Sequence, residues 1–588
     1  MKPLWCRSVK RTAIAILATS TLRCTVVAAG PRMAGKMLPT GGRRRTPGAG
    51  NAALLTLLLT QSAAAGSQIP VAYADLPNIV FILADDIGYG DVSSYGGQLE
   101  TPNIDLLAET GMRFTDAHAP AALCAPTRFS LMTGSYPYRN GRPGGSWDIN
   151  FSSGFSAGTE HLAAGRHVTV GEILQRAGYR TAFIGKKHLG GDVFDLDGHV
   201  IRDKDRLNRM DFSRGIRNGI NDHGFDYSYG LTSGIQHEPF AYFENGRYLP
   251  VDPGDRPDNS STVLRLNGRY EIGDNGISEI VEAPEIPARV DRNYDSSQAG
   301  PMLTNKALAF IDAHVRNERT SGRNRPFALY FASQAIHVPH TPPVDFDGDP
   351  AEIDFPVADR TGGPTTDMIL ELDLQVGALI GKLEALGELA DTLIFFTSDN
   401  GALPPNVADY GTRTHDSNGP WRGYKASIYE GGHRVPFIVR WGDGTPARSK
   451  IPPGTVSDQI VINHDWVATI YALTGINMDP DQAMDSASLW PILLGDVDWP
   501  VHDFILYQAG FAQHGAIRER EYVLVIDERR MATEFYDLDA DPVQASNLIG
   551  VTEHQERVAD MHRKYLYHHD RDNTTFDEPR TTPARLKP

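Results

Sequence analysis

The stretch LCAPTRFSLMTG (123–134) sets a cysteine, a proline and an arginine at 124, 126 and 128. Pro126 suits the first turn of a helix running through TRFSLMT, with Gly134 as its stop. Cys124 then sits at the positive end of that helix, where a developing anion is favoured, and Arg128, four residues on, shares its face. A thiol-phosphatase loop is set aside, because it needs its arginine six residues after the cysteine, where this chain has Ser130. A lone cysteine also reads as a small buried core residue. Arg128 and Pro126 beside it weaken that reading.

Two acidic pairs follow apolar runs. FILADDIGYGD places Asp85 and Asp86 just past a buried strand, and FFTSDNG places Asp399 and Asn400 in the equivalent position. In parallel sheets the carboxyl ends of strands line the ligand crevice. Three carboxylates and an amide oxygen form a hard, all-oxygen set that suits Ca²⁺ or Mg²⁺ rather than zinc. Either pair alone reads equally well as a turn or a helix cap; two after similar strands favour metal. Cations and histidines stand near other strand ends: Lys186 and His188 in GKKHLG, His337 and His340 in AIHVPH, and Lys425, His433 and Arg434 in GYKASIYEGGHRVP. A lysine is ordinarily a solvated surface group, but these are bracketed by Gly and apolar residues.

The elements that must position these groups alternate. NIVFILA (78–84), TAFIGK (181–186), FALYFAS (327–333) and DTLIFFTSDNG (391–401) read as buried strands. NIDLLAET (103–110), VGEILQRAG (170–178), TNKALAFIDAHV (304–315) and DMILELDLQVGALIGKLEALG (367–387) have helical spacing. This order implies an α/β fold with a large, mostly parallel sheet covered by helices on both faces. From about 500 the pattern changes to short strands with turn signals and a helix near 552–565, a small antiparallel C-terminal unit. The division is a leader at 1–74, a catalytic domain at 75–498 and a C-terminal subdomain at 499–588. Residues 190–300 are polar and weakly periodic, and read as a long loop region that shapes a cleft or is partly disordered.

Across 588 residues the net charge is −17, so the field of the whole molecule repels nucleic acid, and an anionic substrate needs a local basic site. The first 74 residues hold ten Lys or Arg and no Asp or Glu. GRRRTPGAG, an apolar run and AYA before Asp75 read as a secretory signal, with export to the periplasm or medium and no membrane span in the mature chain. Met33 or Met37 is the expected start of that signal. A membrane anchor is the alternative, but it needs about 20 uninterrupted apolar residues. Of three cysteines, Cys6 and Cys24 fall in the leader, which leaves Cys124 alone in the mature chain with no disulfide partner.

Seven segments in order, PNIVFILADDIGYGDVSSYGG, CAPTR, GKKHLG, AIHVPH, TSDNG, GYKASIYEGGHRVPFIVRW and EFYDLDADPVQASNL, span 77 to 548. Together they resemble the type I sulfatases, the formylglycine-dependent branch of the alkaline phosphatase superfamily. The resemblance implies an alkaline phosphatase-like sheet and hydrolysis of sulfate esters of carbohydrates or aryl alcohols. It also implies that a separate formylglycine-generating enzyme oxidises Cys124, and that the aldehyde hydrate is the nucleophile. Asp85, Asp86, Asp399 and Asn400, with residue 124, would hold Ca²⁺ (or Mg²⁺). Arg128 and Lys186 would stabilise the hydrate, His188 would bond it and assist sulfate release, and His337 and Lys425 would bind sulfate and serve the leaving oxygen.

The chain departs from the family pattern twice. Ser135 stands where the family often has arginine, a change expected to weaken recognition by the modifying enzyme. Lys187 stands where an aromatic is usual; it either adds positive charge near the pocket mouth or faces solvent. The segment 224–247 is similar to arylsulfatase A and N-acetylgalactosamine-6-sulfatase types, and His237, Arg247 and the insert 202–223 are candidate sugar contacts. Two other readings stay open: a phosphonate or phosphate ester hydrolase of the same superfamily, and a catalytically silent sulfoglycan-binding protein.

Overall fold

The computed structural model describes residues 76–140, 167–201, 209–235, 239–249, 295–346, 356–411, 414–495, 500–510 and 514–570, with the backbone of 269–272 and 278–281. The leader, His237, residues 202–208 of the insert and the 498/499 boundary lie outside them.

Ten strands make the main sheet: β1 (Asn78–Ala84), β2 (Met112–Phe114), β3 (Arg180–Lys186), β4 (Tyr227–Leu231), β5 (Tyr242–Glu244), β6 (Arg247–Tyr248), β7 (Phe327–Ala332), β8 (Thr392–Ser398), β9 (Phe437–Trp441) and β10 (Thr455–Ser457). Their order is β10-β2-β9-β8-β1-β7-β3-β4-β5-β6. The central run β8-β1-β7-β3-β4 is parallel, while β9 and β5 pair antiparallel to its two flanks. The weakly periodic region thus supplies three strands of this sheet, β4 to β6, which sequence reading left as loop. They are only two to five residues long, and β4 holds a glycine, so the period-2 signal is too short to stand out.

Alternation along β1 explains the two layers. Ile79, Phe81 and Leu83 point into one core, and Val80 and Ile82 into the other. On the first face lie α2 (Cys124–Thr133), α3 (Val170–Arg176) and α6 (Asp465–Thr474). Trp466 of α6 is fully buried, stacks on Phe81 at 4.1 Å between centroids, and donates its indole N–H to the Leu131 carbonyl of α2 at 2.8 Å. That contact fixes the helix carrying Cys124 against the sheet. The second face is covered by α1 (Pro102–Thr110), α4 (Ala299–Ser321) and α5 (Pro364–Ala385).

At the C-terminal side, β11 (Ile505–Gln508), β12 (His514–Glu519), β13 (Tyr522–Asp527) and β14 (Ala532–Asp537) form an antiparallel meander. Val558, Met561 and Tyr565 of α7 (Gln555–Asp570) pack on one of its faces. Arg518 of β12 reaches back to Asp116 at 2.7 Å and Glu430 at 3.2 Å, both buried, so a charged cluster joins this sheet to the main one. No described helix is long and apolar enough to cross a membrane.

Candidate active site

The parallel strands end together, and their following residues converge. Asp85 follows β1 and Asp399 follows β8; the two turns are tied by Asp86 N–H donating to Asp399 Oδ1 at 3.2 Å. The Ser398 hydroxyl accepts from Ile87 N–H at 3.0 Å and donates to the Asn400 carbonyl at 2.9 Å, locking the two acidic turns side by side. Asp86 takes a left-handed backbone (φ 69°), uncommon for a residue with a side chain and a local strain typical of functional turns. Oxygens of Asp85, Asp86 and Asp399 lie within 4.8 Å of one another.

Helix α2 begins at Cys124 itself, two residues before Pro126, and Gly134 ends it in a left-handed conformation (φ 66°). Arg128, fully buried, donates through Nε to Asp399 at 2.9 Å and through Nη1 to the Lys186 carbonyl at 2.9 Å. Lys186 Nζ is 2.6 Å from Asp85, and Lys425 Nζ is 2.6 Å from Asp86. Lys186 can reach inward because β3 lies unusually close to its neighbours. Gly185 has φ 126°, and a Cβ there would come within 1.8 Å of the Ala332 carbonyl oxygen. Glycine is required at that position.

His337 donates its Nδ1–H to the Val338 carbonyl at 2.8 Å, which leaves Nε2 to accept from Lys425 Nζ at 3.1 Å. Asp85, Cys124 and His337 present ligand-type atoms within 4.8 Å of one another. Burial pushes the Cys124 thiol up, but Lys186, Lys425 and the contact with His337 outweigh it and hold it below its usual value. Burial, then Lys186 and Arg128, push His188 well below the ordinary histidine range; burial, then Lys186 and Lys425, do the same to His337. Burial alone would lower Lys425, but Asp86 and Cys124 carry it above its ordinary value, and it stays cationic.

The site therefore brings together Asp85, Asp86, Cys124, Arg128, Lys186, His188, His337, Asp399, Asn400 and Lys425. Asn400 donates its amide N–H to Asp86 Oδ1 at 2.8 Å, while its buried Oδ1 receives no hydrogen bond from any described residue. An orphaned amide oxygen beside three carboxylates fits a hard cation. Three carboxylates face three cationic side chains, so the cluster is close to neutral by itself. A bound dication would make it positive enough to attract an anionic ester into an acidic protein.

Other expected residues go elsewhere. His433 lies 3.0 Å from His118, nitrogen to nitrogen, and Arg434 bonds Glu430 at 2.9 Å, both in the buried cluster around Arg518. His340 is half-buried near Asp86 and Asp409, and loss of solvent around the ring takes it to about 4. Lys187 meets neither expectation, since it is 2 % exposed, donates to the Gly190 carbonyl and lies 5.9 Å from the Phe243 ring centre. The alternation of β3, continued past Lys186, turns it away from this cluster and into the core. Ser398, Val338 and Gly185 were missed as positioning residues. Only the glycine in FIGK carried a sequence signal, a glycine inside a strand.

The family model described as Sulfatase matches residues 77–476. The chain belongs to the sulfatase family. As a member it is a sulfuric ester hydrolase. A second model, N-sulphoglucosamine sulphohydrolase C-terminal, matches 421–571 of this sulfatase. An N-acetylgalactosamine-6-O-sulfatase of Bacteroides thetaiotaomicron is 30% identical over 533 residues, covering 82% of this chain and 91% of that one. Human arylsulfatase A is 31% identical over 441 residues, covering 74% and 71%. A solved structure from work on glycosaminoglycan metabolism by Bacteroides thetaiotaomicron has a TM-score of 0.66 at 27% identity, covering 84% of this sulfatase and 100% of that chain. The shared fold is the alkaline phosphatase-like sheet.

Proposed function

We propose that this sulfatase removes sulfate from a sulfated carbohydrate, with residue 124 in its formylglycine form and Ca²⁺ held by Asp85, Asp86, Asp399 and Asn400. The observation that carries the reading is the buried, electropositive setting of Cys124 at a helix start, beside the orphaned Asn400 oxygen and three carboxylates. Formylglycine would supply covalent catalysis, its hydrate attacking sulfur and then expelling sulfate, while the cation would polarise a sulfate oxygen.

The chain's own groups do the rest. Arg128 is locked by Asp399 and the Lys186 carbonyl, so it presents a fixed charge beside residue 124. Lys186 and Lys425 flank the same point and balance charge as it moves onto sulfate oxygens, and preorganised donors of this kind contribute roughly 3–4 kcal/mol each. His337, neutral with its Nε2 lone pair toward Lys425, holds that ammonium in place as the proton donor to the leaving oxygen. His188, also neutral, takes a proton from residue 124 as sulfate is released. The reading extends to export before action, supported by the basic, acid-free stretch 1–74.

The test is co-expression with a formylglycine-generating enzyme, followed by the mass of the peptide containing residue 124 and by assays on an aryl sulfate and an aryl phosphate. Conversion of the thiol to an aldehyde, with sulfate release abolished by a chelator and restored by Ca²⁺, supports the proposal. Unmodified Cys124 without turnover would replace it with the silent sulfoglycan binder and make Ser135 the obstacle. Faster phosphate release would move the substrate class to phosphate or phosphonate esters.

A further inference from the structure

A second basic feature lies outside the catalytic cluster. Phe194, Gly198, Ser213, Arg214, Ile216, Arg217 and Arg247 are among the residues around an open pocket of about 480 Å³. Three arginines on one pocket are unexpected on a surface with net charge −17. Their backbones are pinned. Asp192 and Arg217 exchange hydrogen bonds, N–H of each to the carbonyl of the other, at 2.6 and 3.1 Å; Ile216 N–H bonds the Gly246 carbonyl at 2.7 Å; and Gly215 bridges Arg247. The Arg217 guanidinium lies 4.5 Å from the Phe194 ring centre, which holds a long side chain in one place without neutralising it. Arg214 is paired with Asp211 at 3.1 Å, but no described carboxylate forms an ion pair with Arg217 or Arg247.

The pocket is tied to the catalytic centre by a short length of chain. A Cβ on Gly191 would sit 3.1 Å from Ile216 Cγ2, so the pocket floor rests on the segment three residues after His188. Three residues reach at most about 11 Å. The pocket wall and the candidate active site therefore share one short run of backbone, pinned where Asp192 and Arg217 pair.

We propose that Arg217 and Arg247, with Arg214 beside them, form a second anion subsite that binds a further sulfate or carboxylate on the same sugar chain whose sulfate ester is cut. This rests on the catalytic reading above and adds the substrate class: a polyanionic oligosaccharide rather than a singly charged ester. Planar guanidinium forks suit both anions.

The test separates binding from turnover. Affinity for a chondroitin 6-sulfate tetrasaccharide and for inorganic sulfate is measured by calorimetry in a Cys124→Ala background, with and without R217Q/R247Q. KM and kcat for the tetrasaccharide and an aryl sulfate are measured in the modified enzyme. The double variant is expected to weaken tetrasaccharide binding roughly five- to thirtyfold at low salt. KM should rise alike while kcat and all aryl sulfate parameters hold, and high salt should erase the difference. Equal losses on both ligands, or no loss on the tetrasaccharide, would overturn the subsite. Absence of aryl sulfate turnover in the modified wild type would sink the catalytic reading instead, leaving the binding comparison to decide the subsite.

Discussion

Replacing Lys187 by methionine should stabilise this sulfatase at pH 6 and much less at pH 9. Burial takes the Lys187 ammonium from an ordinary 10.5 to about 7, with Asp222 pulling it back. A gap of about 3.5 units corresponds to roughly 5 kcal/mol of penalty on the charged form. Methionine would leave the Gly190 carbonyl without its donor, which costs about 1–2 kcal/mol, and would lose the attraction to Phe243, about 1 kcal/mol. The expected net gain at pH 6 is therefore about 2–3 kcal/mol. The sign with pH follows from proton uptake. Below pH 7 the lysine is charged in both states and the whole penalty applies. Between 7 and 10.5 the folded lysine is neutral while the unfolded one still holds its proton, so the penalty shrinks by about 1.4 kcal/mol per unit. By pH 9 the advantage of the variant should be nearly gone. Thermal unfolding of both proteins at the two pH values is the assay, with aryl sulfate turnover retained as the control. A variant less stable at pH 6, or a stability gap that does not change with pH, would refute a charged lysine held in the core.

Glu371 is the acidic counterpart: burial raises it from 4.5 to about 8 against hydrogen bonds from Gln334 and Gln375. The unfolded chain gives up that proton above pH 4.5 and the folded one keeps it until about 8, so stability is lost as pH rises through this window. Glu371→Gln should be neutral near pH 4.5 and stabilising by up to about 5 kcal/mol at pH 8, read as a pH-dependent melting difference. Gly185→Ala should break the β3–β7 approach and displace Lys186, giving a large loss of both folded yield and activity; normal activity would show that the strands can part without moving the lysine. Arg518→Met should cost about 3–5 kcal/mol by leaving two buried carboxylates, Asp116 and Glu430, to share the single guanidinium of Arg434, seen as a lower melting temperature.

Local chemistry carries far in this chain. The apolar runs of β1, β3, β7 and β8 announce a buried parallel sheet, because a strand covered on both faces needs no polar alternation. Helices α1, α3, α4 and α5 show their amphipathic spacing, and the C-terminal meander shows its turns. Residue types at strand ends mark Asp85, Asp86, Asp399 and Asn400 as oxygen donors, and Cys124 stands out by being alone.

What the tertiary structure decided is which charges meet. Lys186 finds Asp85 across 101 residues, and Lys425 finds Asp86 across 339. No periodicity encodes a contact between elements so distant in sequence. It depends on the strand order, on glycine at 185 allowing β3 to close on β7, and on two turns tied through Ser398. The same three-dimensional alternation that sends Lys186 into the site sends Lys187 into the core. It separates His433 and Arg434 from Lys425, although all three share one motif. Side-chain identity follows the sequence, but electrostatic partnership follows the packing, because Coulomb energy depends on distance and burial and not on position along the chain.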